Sequence, residues 1–170
     1  MTDQMRAPHP ELVARVLPKG AAVILRDYEA PDRAYLATRL KSICSARGVK
    51  LMIGADPDLA MRIGAHGVHC PRWFNLVNPP PKSMVISAAC HNDEELDRAR
   101  GMGADLIFLS PVFETGSHQG GKALGATAFR DMAAQAPAPV LALGGVTAEN
   151  AHRLSGVNVA GISAISAFLK

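Results

Sequence analysis

Seven short aliphatic runs, continuous rather than alternating, constrain this chain more than any other feature of its sequence. They read AAVILR (21–26), KLMIG (50–54), GVHC (67–70), MVISA (84–88), DLIFLS (105–110), PVLALGG (139–145) and NVAGISAIS (158–166). A strand with one wet face alternates. An unbroken apolar run belongs to a strand covered on both faces, as in a parallel sheet. Helical patterns separate the runs. DRAYLATRLKSICSARG (32–48) has apolar positions at helical spacing and ends in Gly48, a residue suited to a left-handed cap. DPDLAMRIGAHG holds a short helix with Pro57 near its start, where the missing N–H costs nothing. NDEELDRARGMG opens on Asn92 with Glu95 three residues on, the spacing of a helix cap. TAENAHRL reads as a further helix. Alternating β and α units predict an α/β fold with parallel strands. Seven strands are one short of a closed (β/α)8 barrel, and a doubly wound sheet satisfies the same spacing.

Composition narrows the setting. The 170 residues are 48% hydrophobic with no repeat, low-complexity run or linker, which is enough for one domain over 1–170 with a substantial core. The net charge is +3 and the basic residues are scattered, with no aromatic residues between them, so a nucleic-acid partner is not expected. Cys44, Cys70 and Cys90 form no CxxC pair and leave an odd one in any disulfide scheme. Reduced thiols in a cytoplasmic protein follow from that. The start MTDQMRAPHPEL carries no signal-like apolar stretch and no run approaches membrane-spanning length, so no membrane partner is expected.

In both architectures ligands bind beyond the C-terminal ends of the strands. The residues there include Asp27, Tyr28, Asp56, His69, Cys70, Arg72, Ser87, Cys90 and His91. SPVFETGSHQGG (110–121) is longer and more polar than a plain connection. Gly144-Gly145 and the turn at Ser166 are glycine-rich or small. Backbone N–H groups in such turns attract phosphate, although glycine also serves simply to turn. His69, Cys70, Cys90 and His91 offer nitrogen and sulfur of the kind zinc takes, but no spacing specifies a site. A Schiff-base enzyme would need a lysine ending a strand. Lys50 begins one, and Lys82 and Lys122 fall in loops.

SPVFETGSH, LGGVTAEN and GISAIS, in this order and spacing, resemble the thiamine phosphate synthase/TenI superfamily. Its members carry a G-P-V-F-x-T-x-T-K-like loop, an I-G-G-I turn and a closing V-S-A-I turn. AHGVHC is similar to the family's A-D-G-V-H-L, and SAACH before an acidic helix to its S-x-H segment. The match runs from about Ala22 to the C-terminus. It implies a TIM-type barrel that binds a thiazole phosphate and, in true synthases, joins it to an aminopyrimidine diphosphate with loss of pyrophosphate. The family's first strand ends near T-D, here Thr2-Asp3, so that strand is largely missing. Either the barrel is open at one seam or the natural chain starts upstream of Met1. An open edge favours a homodimer or poor solubility.

Carried over residue by residue, the resemblance gives Gly144, Gly145, Ile165 and Ser166 to the thiazole phosphate, and Thr115 and Ser117 to the two hydroxyl positions of the loop after the fifth strand. Arg26, Ser87 and His118 are the candidate catalytic set. The departures are as informative. The family's Q-x-R-x-K stands here as Ile24, Arg26 and Tyr28, and its N-D as Gly54-Ala55 with Asp56 one place late. Its G-Q-x-D becomes Pro71-Arg72-Trp73-Phe74, and its loop lysine becomes His118. A diphosphate leaving group needs Mg2+ or fixed cations, and Mg2+ needs carboxylate oxygens. Asp56 is the one candidate Mg2+ ligand, while Arg26, Arg72 and His118 can hold anions without metal. Tautomerase members of the TenI branch place a histidine where this chain has Pro111, leaving His91 or His118 to move a proton. A synthase-like transferase with a degraded Mg2+–diphosphate site is therefore the expectation. A TenI-like phospho-ligand binder, or a tautomerase-like enzyme without synthase activity, is the alternative.

Overall fold

The structure, a computed structural model, describes residues 1–3, 6, 8–115, 123–154 and 159–164. Two compact units contain them: Met1–Cys70 with Leu76–Ile86, and Pro71–Asn75 with Ser87–Ala164. Among the described residues there are seven strands, every assigned pair parallel, in the order of the chain.

In the first unit, α1 (Pro10–Val16) precedes β1 (Ala22–Leu25), α2 (Arg33–Arg47), β2 (Lys50–Gly54), α3 (Pro57–Arg62) and β3 (Gly67–Cys70). Ile24 pairs with Met52, and Ile53 with Val68. These strands are buried almost throughout, as the unbroken apolar runs require. Leu36, Ala37, Leu40 and Cys44 of α2 are buried as well. Each helix stops or starts where its chemistry dictates. Gly48 ends α2 in the left-handed conformation at φ 64°, and its N–H returns to the last turn. Asp56 caps α3, accepting the Leu59 N–H, with Pro57 next in line. Thr2 lies against β1: its N–H donates to the Ile24 carbonyl at 2.8 Å, and its Oγ1 accepts from Arg26 N at 2.9 Å. No strand precedes β1 among the described residues.

β4 (Val85–Cys90) begins beside β3, with Val85 N donating to His66 O at 3.0 Å. The remainder of β4 opens the second unit. It is followed by α4 (Asp93–Gly101), β5 (Leu106–Leu109), α5 (Gly125–Gln135), β6 (Val140–Leu143), a 3-10 turn (Ala151–Leu154) and β7 (Val159–Ser163). Ala88 pairs with Ile107, and Ile107 with Val140. Asn92 caps α4 by accepting Glu95 N–H. Asp93, Glu94 and Glu95 stand at its positive end and Arg98 and Arg100 at its negative end.

Three differences from the sequence reading stand out. TAENAHRL is a turn followed by one 3-10 turn, because the Asn150 side chain accepts Thr147 N–H and donates to Gly145 O instead of letting an α-helix run. The strand expected over 84–88 runs on to Cys90. β7 is not covered on both faces: Ile162 is 54% exposed, and residues 165–170 after it lie outside the described set. No helix among the described residues is long and apolar enough to cross a membrane.

Candidate functional site

In the second unit the loop after β5 packs onto the turn after β6. Val112 N–H donates to Leu143 O and Phe113 N–H to Gly144 O, at 2.9 and 3.0 Å. This seats the SPVFET segment, which begins with a cis Ser110–Pro111 bond, on the two glycines. Gly144 and Gly145 have φ of 89° and 67°, and a Cβ on Gly145 would stand 2.4 Å from Glu114 O. Glycine is demanded at Gly145 twice over, by the left-handed backbone and by the approach of the loop. The amides of Gly145 and Val146 donate to no acceptor among the described residues, the state in which a turn takes an anion. Thr115 is half-buried beside this turn's partner loop. A cation stands here that the sequence did not single out: Arg153 lies 4.8 Å over the Phe113 ring, and its carbonyl accepts from Arg130 Nη2. Ser117, His118, Ile165 and Ser166, all expected at this end, lie outside the described residues.

Ser87 is fully buried on β4. At the end of the same strand Glu95 reaches back, its Oε2 accepting His91 N–H at 2.7 Å and standing 2.7 Å from His91 Nδ1. The carboxylate thus fixes the orientation of the ring. Cys90 Sγ donates to Glu95 O, and burial pushes its thiol up to about 12. Burial likewise lifts Cys44 to about 11. Neither is a thiolate at neutral pH, so neither is suited to nucleophilic work. Among the described residues no three His, Cys, Asp or Glu side chains gather as a metal site.

Arg98 has a structural task that sequence alone did not suggest. Its Nη1 lies 3.1, 2.9 and 3.0 Å from the carbonyls of Pro71, Arg72 and Phe74, and Nη2 donates to Ala89 O at 3.2 Å. The segment 71–74 is therefore tied down through its backbone. Trp73 packs edge-on to Phe74 at 6.1 Å and is 61% exposed. Arg98→Met should cost about 2 kcal/mol, since it leaves several carbonyls without a charged donor. Urea unfolding reads that loss, and Trp73, the single tryptophan, reports release of the segment as lower fluorescence anisotropy. Unchanged anisotropy and midpoint would show that the carbonyls do not depend on Arg98.

In the first unit Arg26 follows β1, with Nη1 3.8 Å from Met1 Sδ. Asp56 follows β2 and is shared: Oδ1 accepts Leu59 N–H at 2.8 Å, and Oδ2 accepts Arg33 Nη1 at 3.1 Å. Arg33 Nη2 donates to Gly54 O, and its Cζ lies 5.8 Å over the Tyr28 ring. Burial raises the Tyr28 hydroxyl above its ordinary range, against the opposing pull of Arg26 and Arg33. His69 is buried on β3.

The family model described as "Thiamine monophosphate synthase" matches residues 1–168. The thiamine-phosphate synthase of Methanocella arvoryzae is 34% identical over 169 residues, covering 94% of this chain and 79% of its own. That of Methanoculleus marisnigri is 32% identical over 167 residues, covering 94% and 79%. Among solved structures, the thiamine phosphate pyrophosphorylase from Pyrococcus furiosus is similar at a TM-score of 0.81 and 26% identity, covering 98% of this chain and 83% of that one. The fold is the parallel α/β architecture of the TIM type.

Proposed function

The chain belongs to the thiamine monophosphate synthase family, and from that premise we propose that it binds a thiazole phosphate at the turn after β6 and couples it to an aminopyrimidine diphosphate with loss of pyrophosphate. The observation that carries this reading is the Gly144-Gly145 turn, against which the loop after β5 packs and whose Gly145 and Val146 amides have no acceptor among the described residues. Amides fixed by the fold hold a phosphate without reorganising when it arrives. Thr115, Ser117, Ile165 and Ser166 complete that cradle in this reading, and Arg26, Ser87 and His118 keep the reactive roles the resemblance gives them. Its setting is the cytoplasm.

A second reading has its own support. Asp56, the carboxylate that the resemblance offers to a Mg2+ ion for the diphosphate, already serves as a helix cap and as the partner of Arg33. That favours a phospho-ligand binder, or a tautomerase-like enzyme, that has left the synthase reaction. Isothermal titration separates the two. We expect thiazole phosphate to bind at one site per chain. Adding aminopyrimidine diphosphate with Mg2+ then yields thiamine phosphate and pyrophosphate if the synthase reading holds. Binding of thiazole phosphate alone supports the second reading, and binding of neither ligand overturns both.

A further inference from the structure

We infer that Asp56 is closed to divalent metal because the Arg33 guanidinium already occupies the cation position beside its carboxylate. This deepens the reading above and rests on it for the identity of the anionic ligand, but the closure itself concerns only the ends of β1 and β2.

Mg2+ is small, demands near-octahedral oxygen ligands, and is usually held by one or two carboxylates with water and substrate phosphate. The residues here do not fit it. Asp56 Oδ1 is taken by the Leu59 N–H that begins α3, and Oδ2 by Arg33 Nη1 at 3.1 Å. A second cation would have to approach a carboxylate whose charge is already balanced, and would meet the guanidinium's own positive charge. Arg33 is not free to withdraw. Its side chain is 13% exposed, its Nη2 is held by the Gly54 carbonyl, and the Tyr28 ring lies beneath it. Leaving would strand both the carboxylate and that carbonyl. Gly54 adds a steric reason for this arrangement, since a Cβ there would lie 3.0 Å from both Leu25 O and Tyr28 Cε1. The neighbouring position is Ala55, whose side chain carries no oxygen.

The pair therefore holds, as one neutral unit, the place where a metal-dependent relative would keep a carboxylate for its ion. A diphosphate reaching this end of the first unit would meet Arg26 rather than Mg2+ held by Asp56.

Mn2+ serves as the probe, followed by electron paramagnetic resonance on the full chain. The wild type should take up no Mn2+ at one equivalent and submillimolar concentration. Asp56→Asn should behave the same, and it keeps the cap because the asparagine oxygen still accepts Leu59 N–H. Arg33→Met should gain a Mn2+ site, and the double variant Arg33→Met/Asp56→Asn should lose it. Inorganic pyrophosphate, titrated separately with Mg2+ and with EDTA, should bind with affinities within about twofold of each other. One Mn2+ bound to the wild type and lost in Asp56→Asn overturns the inference, whether or not Arg33→Met folds. A tenfold dependence of pyrophosphate affinity on Mg2+ that Asp56→Asn abolishes overturns it too. A wild type that binds neither Mn2+ nor pyrophosphate upholds the closure and removes the diphosphate reading instead.

Discussion

Gly67→Ala should unfold this protein or cost it upward of about 3 kcal/mol, the largest effect expected of a methyl group added at any described glycine. Gly67 opens β3 and pairs with Met52. A Cβ built there stands 2.1 Å from the Val85 carbonyl oxygen and 2.9 Å from Met52 Cε. The methionine can move, but the carbonyl belongs to the backbone where β4 begins beside β3 and cannot retreat without breaking that pairing. No left-handed φ is involved, so the cost is steric alone. Gly101→Ala is the matched control: the residue lies in α4 with nothing within 4 Å of the added carbon. It should raise stability by about 0.5 kcal/mol through the unfolded chain. Equal midpoints in urea for the two variants would mean that β3 and β4 do not approach as closely as described.

Gly145→Ala is expected to strike stability and ligand binding together. The alanine must adopt φ near 67° and place its methyl 2.4 Å from Glu114 O and 2.7 Å from Phe113 O. The left-handed backbone alone costs on the order of 1 kcal/mol for a residue with a Cβ. The clash must push the loop after β5 off the turn, so the total should reach about 3 kcal/mol. Phosphate affinity should fall at least tenfold, because the displaced segment carries Thr115 and frames the Gly145 and Val146 amides. Gly125→Ala separates strain from clash: its φ is 74° but nothing lies within 4 Å. It should lose about 1 kcal/mol and keep its ligand. Thiazole phosphate titrated into both variants, with melting temperatures alongside, tests this. Retained affinity in Gly145→Ala would remove the turn from the binding site.

The strands were legible because nothing local competes with a run such as VIL or LIFL: each is too apolar for the surface and too short for a buried helix. The α4 cap was legible for a similar reason, since Asn92 and Glu95 act within one turn. α1 and α5 were not. α5 has Leu124 at its N-cap position with no capping side chain, and its buried Phe129 and Met132 sit in an otherwise small and polar run, GATAFRDMAAQ. The 3-10 turn was misread because TAENAHRL has helical composition, while the deciding contacts are those of one side chain, Asn150. The resemblance singled out the glycine turn, but the steric need for glycine there was not visible: the carbonyls of Phe113 and Glu114 that require Gly145 lie some thirty positions back along the chain. Arg33 and Arg98 were invisible for the same reason. An arginine on a helix ordinarily reads as part of a solvated face, and only folding sets Arg98 against carbonyls 24 to 27 positions away. The roles assigned to Ser117, His118, Ile165 and Ser166 fall on residues outside the described set.

The grip of Arg98 on Pro71, Arg72 and Phe74 uses carbonyls, which every amino acid supplies. Side chains at 72, 73 and 74 are thereby released from holding their own loop in shape. Such a segment can exchange residues over generations without losing its course, so a lineage can retune what this end of the molecule accepts while the scaffold stays as it was. Arg72, Trp73 and Phe74 can differ in size and charge as long as the carbonyls of 72 and 74 stay where Arg98 can reach them.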